Sequence, residues 1–520
     1  MTSQAVAEMK PTAVSAKPGM YTGKEYLASL NDGRVVWING KPVKDVANHP
    51  AFRNSARMIA RLYDSLHDPA KQDVLTIPID NGSGMRTHRF FQAPRSISEQ
   101  VAARDAIMEW ARMTYGWMGR SPDYKAAWFG TLGRDREIYQ DFLPQADRWY
   151  DTVRERVPYF SHAIVHPPVD RHLPHEQSDV YVRVDRETDA GIFVSGAKVV
   201  ATGAPMTQYI YVAFNGLVMH KEKRFSPIFI VSPGDPGVKL ICRSSYEFNA
   251  GVVHRPFDAP LSGRFDENDT ILILDQVFVP WENVLMYGVE NSNRFVAQLG
   301  LDGRNLMHGC ARLAVKLEFL CGLLIKAVEI AGTSDFRGIQ AAIGEAIALR
   351  HTMLSLSDSM VYAGEQWAGD YYKPNYAACL AYRNLYADAY CRIRNIINKS
   401  VAAGLIYLPS GIADFEQPEL RPYLDKYLRG SNGITAIERV KLLKLLWDAI
   451  GSEFASRHEL YEINYAGSYE QGQLDAYNDA RKTGLMKKMT GFVETCMDEY
   501  DEKSWRAAGL IDPHDISVVS

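Results

Sequence analysis

Val180-Tyr181-Val182-Arg183-Val184, Ile192-Phe193-Val194, Tyr209-Ile210-Tyr211-Val212 and Ile228-Phe229-Ile230-Val231 are four short runs rich in β-branched and aromatic residues. Turn formers separate them, among them Asp189-Ala190-Gly191 and Pro233-Gly234-Asp235-Pro236-Gly237. Branched and ring side chains fit a pleated half-buried surface, and Gly and Pro interrupt it, so Val180 to Pro280 reads as a β block. A further strand, Thr270 to Val279, closes it after the acidic turn Phe265-Asp266-Glu267-Asn268-Asp269.

Outward from this block the period changes from two to three and four. Arg53 to Leu66 and Ile97 to Tyr115 read as helices before it. Leu313 to Ile330, Ile339 to Val361, Tyr382 to Ala403 and Ile437 to Phe454 read as helices after it. In the last, Ile437, Val440, Leu443, Trp447, Ile450 and Phe454 form one apolar stripe. The expected organisation is a leader over 1–20, a helical domain over 21–158, a β domain over 159–285 and a helical region with a tail over 286–520. The order helix, strand, helix has no βαβ rhythm and no GxGxxG, which disfavours a doubly wound nucleotide fold.

The chain has 520 residues, 46% hydrophobic and 23% charged, with 58 Lys plus Arg against 62 Asp plus Glu. Such a composition can bury a large core, and a formal charge of −4 offers no field for a polyanion, so nucleic acid is not an expected partner. The six cysteines form no CxxC pair, which argues against a zinc ribbon or a disulfide scaffold and suits a reducing cytoplasm. Leu313 to Ile330 carries Lys316, Glu318, Lys326 and Glu329 and is therefore a core helix rather than a membrane span.

Two segments concentrate groups able to do chemistry. Tyr159 to His175 holds four histidines, and His162 and His166 would share a face if helical. Pro167-Pro168 ends that repeat and no second ligand cluster completes a metal set, so no metal is expected. Surface histidines, or one functional histidine at the helix-to-β junction, remain as alternatives. Thr114 to Lys125 combines Tyr115, Trp117, Tyr124, two glycines and Arg120 in a segment too apolar for a solvated loop. It either lines a site or is core with an ordinary ion pair. Gly451 to Gly467 sets Arg457, His458, Tyr461 and Asn464 at the end of a long helix, where they could hold a ligand or cap the helix.

Met118-Gly119-Arg120-Ser121-Pro122-Asp123-Tyr124, His162 to Arg171, Gly196-Ala197-Lys198-Val199-Val200-Ala201-Thr202, Phe265 to Asp269, Arg429-Gly430-Ser431-Asn432-Gly433 and Gly451-Ser452-Glu453-Phe454 occur in one order. Together they resemble the oxygenase component of the two-component, FADH2-dependent 4-hydroxyphenylacetate 3-monooxygenases, from about Tyr21 to Trp505. The resemblance implies an α+β, mainly α, acyl-CoA-dehydrogenase-like fold: a helical N-domain, a central β-barrel and a C-terminal four-helix bundle, assembled as a homotetramer. It implies FAD, received reduced from a separate NADH-dependent reductase, O2 as co-substrate, and ortho-hydroxylation of a para-substituted phenol to a catechol through a C4a-hydroperoxide of the flavin.

Residue by residue, the resemblance assigns Arg120, Tyr124 and His162 to the phenol. It assigns His162, Pro168, Val169, Asp170, Arg171, Thr202, Arg457, His458, Tyr461, Asn464, Tyr465, Ala466 and Gly467 to the flavin. Gly203 to Gly216 is expected to close over the site. Asn215-Gly216 stands where relatives that use 4-hydroxyphenylacetate carry a hydroxyl for its carboxylate, which moves the expected substrate towards a larger or carrier-tethered phenol. The alternatives are a chlorophenol or nitrophenol monooxygenase of the same family, a dehydratase or isomerase relative, and a non-catalytic flavin-binding protein. The dehydratase branch needs cysteines for an iron-sulfur cluster, and this chain has none before Cys242.

Overall fold

The computed structural model describes residues 18–170, 172–174, 177, 179–214, 221–298, 301–503 and 505–506. The leader through residue 17, Arg171, Asn215 and Gly216 lie outside the described residues. The chain divides into two compact units, 1–462 and 463–520.

The first unit opens with α1 (Gly23–Ser29), whose N-terminus is closed by a reciprocal Thr22 and Glu25 capping box. A hairpin of β1 (Val35–Ile38) and β2 (Lys41–Val43) follows, then α2 (Arg53–Ser65). A second hairpin, β3 (Thr76–Pro78) and β4 (Arg86–His88), precedes α3 (Ile97–Met113), which Ser96 caps, and α4 (Leu143–Arg156). The central strands are β5 (Phe160–Ala163), β6 (Arg183–Thr188), β7 (Gly191–Thr202), β8 (Tyr209–Val212), β9 (Ile228–Val231), β10 (Val238–Cys242), β11 (Asp269–Pro280) and β12 (Val284–Met286). The long helices are α5 (Leu301–Ala331), α6 (Arg337–Tyr362), α7 (Tyr376–Ile406), α8 (Ala436–Ile450) and α9 (Glu453–Asn464).

The strands do not form the expected closed barrel among the described residues. They form a six-stranded sheet in the order β2-β1-β10-β11-β7-β6 and a four-stranded sheet in the order β12-β9-β8-β5. The β1 strand pairs in parallel with β10, so part of the domain expected to be mostly helical completes the larger sheet. The Ser161 hydroxyl on β5 donates to the Thr202 carbonyl at the end of β7 (2.8 Å), tying one sheet to the other. In β7 the backbone at Val200 has φ +59°, a left-handed value that a β-branched residue seldom adopts, beside an irregularity in the pairing with β11.

The helix α5 packs against α3, α6, α7 and α8. It is buried on most sides over Leu306 to Val328, which explains why its apolar pattern is nearly continuous. The stripe read as one helix from Ile437 to Phe454 is two helices, broken at Gly451-Ser452, and Trp447 within it is 43% exposed. In the second unit, α10 (Tyr469–Lys482) is capped by Ser468, and α11 (Leu485–Met497) exposes Leu485, Met489, Phe492, Val493 and Met497. No helix among the described residues is long and apolar enough to cross a membrane.

The described part of the expected lid, Gly203 to Phe214, also departs from expectation. Ala204 to Phe214 is buried, and β8 within it is an interior strand paired with β5 and β9. A strand hydrogen-bonded on both edges cannot open without breaking two ladders, so these residues are scaffold rather than lid.

Candidate functional site

The segment from Gly116 to Lys125 runs from the end of α3 into a short 3-10 turn over Pro122–Lys125. Two glycines let it lie close to the helices. At Gly116, φ is +75° and a Cβ would stand 2.6 Å from the Cβ of Lys316 on α5. At Gly119 a Cβ would stand 2.1 Å from the Tyr461 hydroxyl oxygen on α9. Gly116→Ala therefore meets both backbone strain and a clash with a packed helix, and is expected to cost about 3 kcal/mol in denaturant unfolding. A midpoint equal to that of the unaltered protein would contradict this account.

Three of the residues expected at the phenol converge. The Arg120 guanidinium carbon lies 4.1 Å from the centre of the Tyr124 ring and 4.9 Å from that of Tyr461, and Nη1 donates to the Tyr461 hydroxyl (2.8 Å). The Arg120 amide donates to the carboxylate of buried Glu267. The Tyr124 and His162 rings are 6.0 Å apart, and Trp128 lies 5.6 Å from His162. His162 is on β5 opposite Tyr211, and its Nδ1 is buried with no hydrogen-bond partner among the described residues. Burial, then Lys125 and Arg120, hold the His162 imidazolium well below its usual range, so the ring is neutral near pH 7.

Tyr124 is fixed from behind. Ser121 donates to Asp123 (2.5 Å), and Asp123 is buried 3.4 Å from His308 Nε2. Burial pushes the Asp123 carboxyl up, but His308, His88 and Ser121 outweigh it and hold the group ionised. The His308 ring lies edge-on to Tyr124 at 5.3 Å.

A second tier of charges surrounds Arg457. It grips Asp269 with two hydrogen bonds, Nε to Oδ2 (3.0 Å) and Nη2 to Oδ1 (2.8 Å), and reaches Glu267 at 3.4 Å. Asp269 also accepts from Thr202 (2.6 Å) and from Arg243 (3.0 Å). Burial would raise the Asp269 carboxyl, yet the two arginines hold it far below the carboxylate range. Thr202 and Arg457, separated in sequence, therefore meet at one carboxylate.

The remaining expected flavin residues distribute differently. Pro168, Val169 and Asp170 lie in the exposed loop after β5, and a bridge between Val165 and Val199 joins that loop to β7. Val169 and Val200, on the two joined segments, are 44% and 52% exposed. Two exposed valines, Val200 on left-handed backbone, with the lone pairs of the Thr202 hydroxyl still able to accept, fit a planar, largely apolar ring system such as isoalloxazine. His458 does not offer itself to such a ring. It is 1% exposed, packed against Trp117 (4.9 Å) and Phe454 (4.4 Å). Tyr461, expected with the flavin, bonds to Arg120. Asn464, Tyr465, Ala466 and Gly467 belong to the second unit, with Gly467 (φ +91°) in the bend between α9 and the next helix.

Behind Tyr461 lies a buried ion cluster. Arg312 donates to both oxygens of Glu462 (2.8 and 2.7 Å), and Lys316 donates to Oε1 (2.8 Å) and lies 3.4 Å from His458 Nδ1. All three charged groups are at most 1% exposed. Sequence reading missed these residues together with Glu267, Asp269 and Lys125. The signal available was that Lys316 interrupts an apolar helix and that Lys125 adjoins Tyr124. Among the described residues no three His, Cys, Asp or Glu side chains gather as a metal site. A surface hollow of about 380 Å3, lined by Leu27, Asp45 and Arg57 among others, contains none of the residues above.

Comparison with known proteins places this geometry in a family. The family model described as 4-hydroxyphenylacetate 3-hydroxylase N terminal matches residues 22–286, and its C-terminal counterpart matches 292–494. The chain is 50% identical to a 4-hydroxyphenylacetate 3-monooxygenase oxygenase component of Pseudomonas aeruginosa, over 98% of this chain and 99% of that one. It is also 50% identical to a Streptomyces globisporus monooxygenase named for a 3-amino-3-(3-chloro-4-hydroxyphenyl)propanoyl group on a peptidyl-carrier protein, over 98% and 96%. A crystal structure of the oxygenase component of 4-hydroxyphenylacetate 3-monooxygenase, complexed with FAD and 4-hydroxyphenylacetate, superposes with a TM-score of 0.85 at 31% identity, covering 92% of this chain and 99% of that one. With both family models matched in order over nearly its whole length, the chain belongs to the 4-hydroxyphenylacetate 3-hydroxylase family.

Proposed function

We propose that this chain hydroxylates a para-substituted phenol ortho to its oxygen, with Arg120, Tyr124 and His162 holding the phenol. The protein is a flavin-dependent phenol monooxygenase of the oxygenase-component type, and FAD with O2 is its cofactor system. The observation that carries the residue assignment is the Arg120 guanidinium set over Tyr124 beside a neutral, buried His162 nitrogen.

A phenol has a pKa of about 10 and is mostly protonated near pH 7. Its ortho carbon becomes a better nucleophile as the oxygen gains negative charge. Arg120 supplies a fixed positive charge for that oxygen. His162, neutral because it is buried beside two cations, has one nitrogen able to accept the phenolic proton. Tyr124 offers a hydroxyl that orients the ring. Tyr461 and Glu267 fix the Arg120 side chain and amide. Bound reduced FAD supplies, with O2, the oxygen atom that is transferred. Pro168, Val169, Asp170, Thr202 and Arg457 would hold it. The exposed valines and the Thr202 lone pairs support that placement.

The reading extends to a homotetramer in the cytoplasm, served by a separate NADH-dependent reductase. The apolar surface of α11 supports subunit packing, and six cysteines without a disulfide support a reducing compartment. The equal identity to a relative named for a free acid and to one named for a carrier-bound group leaves both substrate types within the proposal. The test is a panel of para-substituted phenols with chemically reduced FAD and O2 in metal-free buffer. A catechol is expected from at least one, and hydrogen peroxide alone from all of them would overturn the proposal.

A further inference from the structure

We propose that Lys125 is a second cationic partner of the phenol oxygen, held between Tyr124 and Trp128 to favour the ionised form of a bound phenol. The inference rests on the phenol-site reading above and adds a residue to it. Lys125 is 1% exposed, and its Nζ has no hydrogen-bond partner among the described residues. An ammonium carries three donors, and leaving all three unmet in a protein interior is costly. Aromatic faces border it instead: Nζ is 4.0 Å from the centre of the Tyr124 ring and 3.8 Å from that of Trp128. Cation–π contacts partly compensate the burial but supply no counter-charge.

The same two rings border His162, at 6.0 and 5.6 Å, and the Tyr124 ring also carries Arg120 at 4.1 Å. The groups around these rings are two basic side chains, a neutral imidazole and three phenols: Tyr124 itself, Tyr211 beside Trp128 and Tyr461 beside Arg120. The nearby carboxylates are committed elsewhere: Glu267 to the Arg120 amide and Arg457, and Asp123 to Ser121 and His308. A buried excess of positive charge suits an anion that arrives with the substrate, and a phenolate is such an anion. Burial, and Arg120 after it, push the Lys125 ammonium well below its usual range. When a phenol binds to the neutral amine, its O–H bond breaks, an N–H bond forms on Nζ, and a phenolate and an ammonium remain as a pair. When the ammonium is already present, it stabilises the phenolate directly.

The experiment uses 4-nitrophenol, whose phenolate alone absorbs in the visible, titrated with pH on the full-length protein. The bound ligand is expected to ionise at lower pH than free 4-nitrophenol. In Lys125→Met, a near-isostere without charge, the ionised-to-neutral ratio of bound ligand at a given pH is expected to fall at least tenfold, which is one pH unit in the midpoint. FAD affinity and the thermal midpoint should not fall, because an apolar chain suits these aromatic surroundings better than an unpaired ammonium. Lys125→Gln serves as the second neutral variant and should shift the midpoint in the same direction. An unchanged midpoint in a folded neutral variant overturns the role of Lys125 alone, whatever happens to turnover. If the unaltered protein binds no phenol, the phenol-site reading falls and takes Lys125 with it.

Discussion

Arg120→Ala is expected to lower catechol formation by roughly a hundredfold to a thousandfold, the usual effect of removing one preorganised charge-stabilising donor. Oxygen consumption should continue, with hydrogen peroxide replacing catechol as the product. The size of the effect follows from the way the guanidinium is held. It is set over Tyr124 at 4.1 Å, its Nη1 reaches the Tyr461 hydroxyl, and its own amide is fixed to Glu267. Its charge is therefore already in place and needs no reorganisation when the phenol loses its proton. Arg120→Lys should recover only part of the loss, because a point charge cannot cover the Tyr124 face and reach Tyr461 together. FAD affinity should remain within about twofold if the role is confined to the phenol. Loss of FAD binding from a folded Arg120→Ala protein would reassign Arg120 to the cofactor.

The part of this site legible in the sequence is the part carried by contiguous motifs. Arg120 and Tyr124 sit four residues apart in one segment, and His162 follows the last helix before the β block. The ion clamp was not legible in the same way. Asp269 and Arg457 are 188 residues apart, and an acidic turn before a strand is explained locally by its turn propensity. Lys125 was visible but unremarkable, since lysines are seldom fully buried and nothing local signals that one is.

The fold divides along similar lines. The strands β8 and β9 were readable to the residue because each is an unbroken run of β-branched and aromatic residues, and β9 is also flanked by Pro227 and Pro233. The first two strands were not, because Val35 to Ile38 is a four-residue run among helices and its partner begins at Val238. Barrel closure depends on which edges meet, a long-range property, and here β2 and β6 remain the edges of one sheet and β12 and β5 those of the other.

Glu462→Gln is expected to destabilise the protein by about 3–5 kcal/mol near pH 7, because it removes the shared counter-charge of two fully buried cations. Arg312 and Lys316 both donate to Glu462, and none of the three has more than 1% exposure through which water could substitute. Burial alone would raise the Glu462 carboxyl, but Arg312 and Lys316 hold it down at about 2. Lys316 is itself pushed down to about 8, chiefly by burial, so near pH 7 the cluster still holds two positive charges and one negative.

A carboxyl lowered from about 4.5 to about 2 contributes stability that is complete above pH 4.5 and disappears as the pH falls towards 2. That linkage is worth about 3 kcal/mol as an order of magnitude. Denaturant midpoints of the unaltered protein should therefore drop between pH 5 and 3, and those of Glu462→Gln should drop less over the same range. Replacing all three residues with Met should restore most of the stability, since the loss comes from unpaired charge rather than from missing volume. The same helix, α9, carries Arg457 and Tyr461, so Glu462→Gln should also loosen the Tyr461 contact and release more peroxide per catechol in the folded fraction. If Glu462→Gln unfolded at the denaturant midpoint of the unaltered protein, the cluster would not anchor α9. The Asp269 clamp on Arg457 would then have to fix that helix alone.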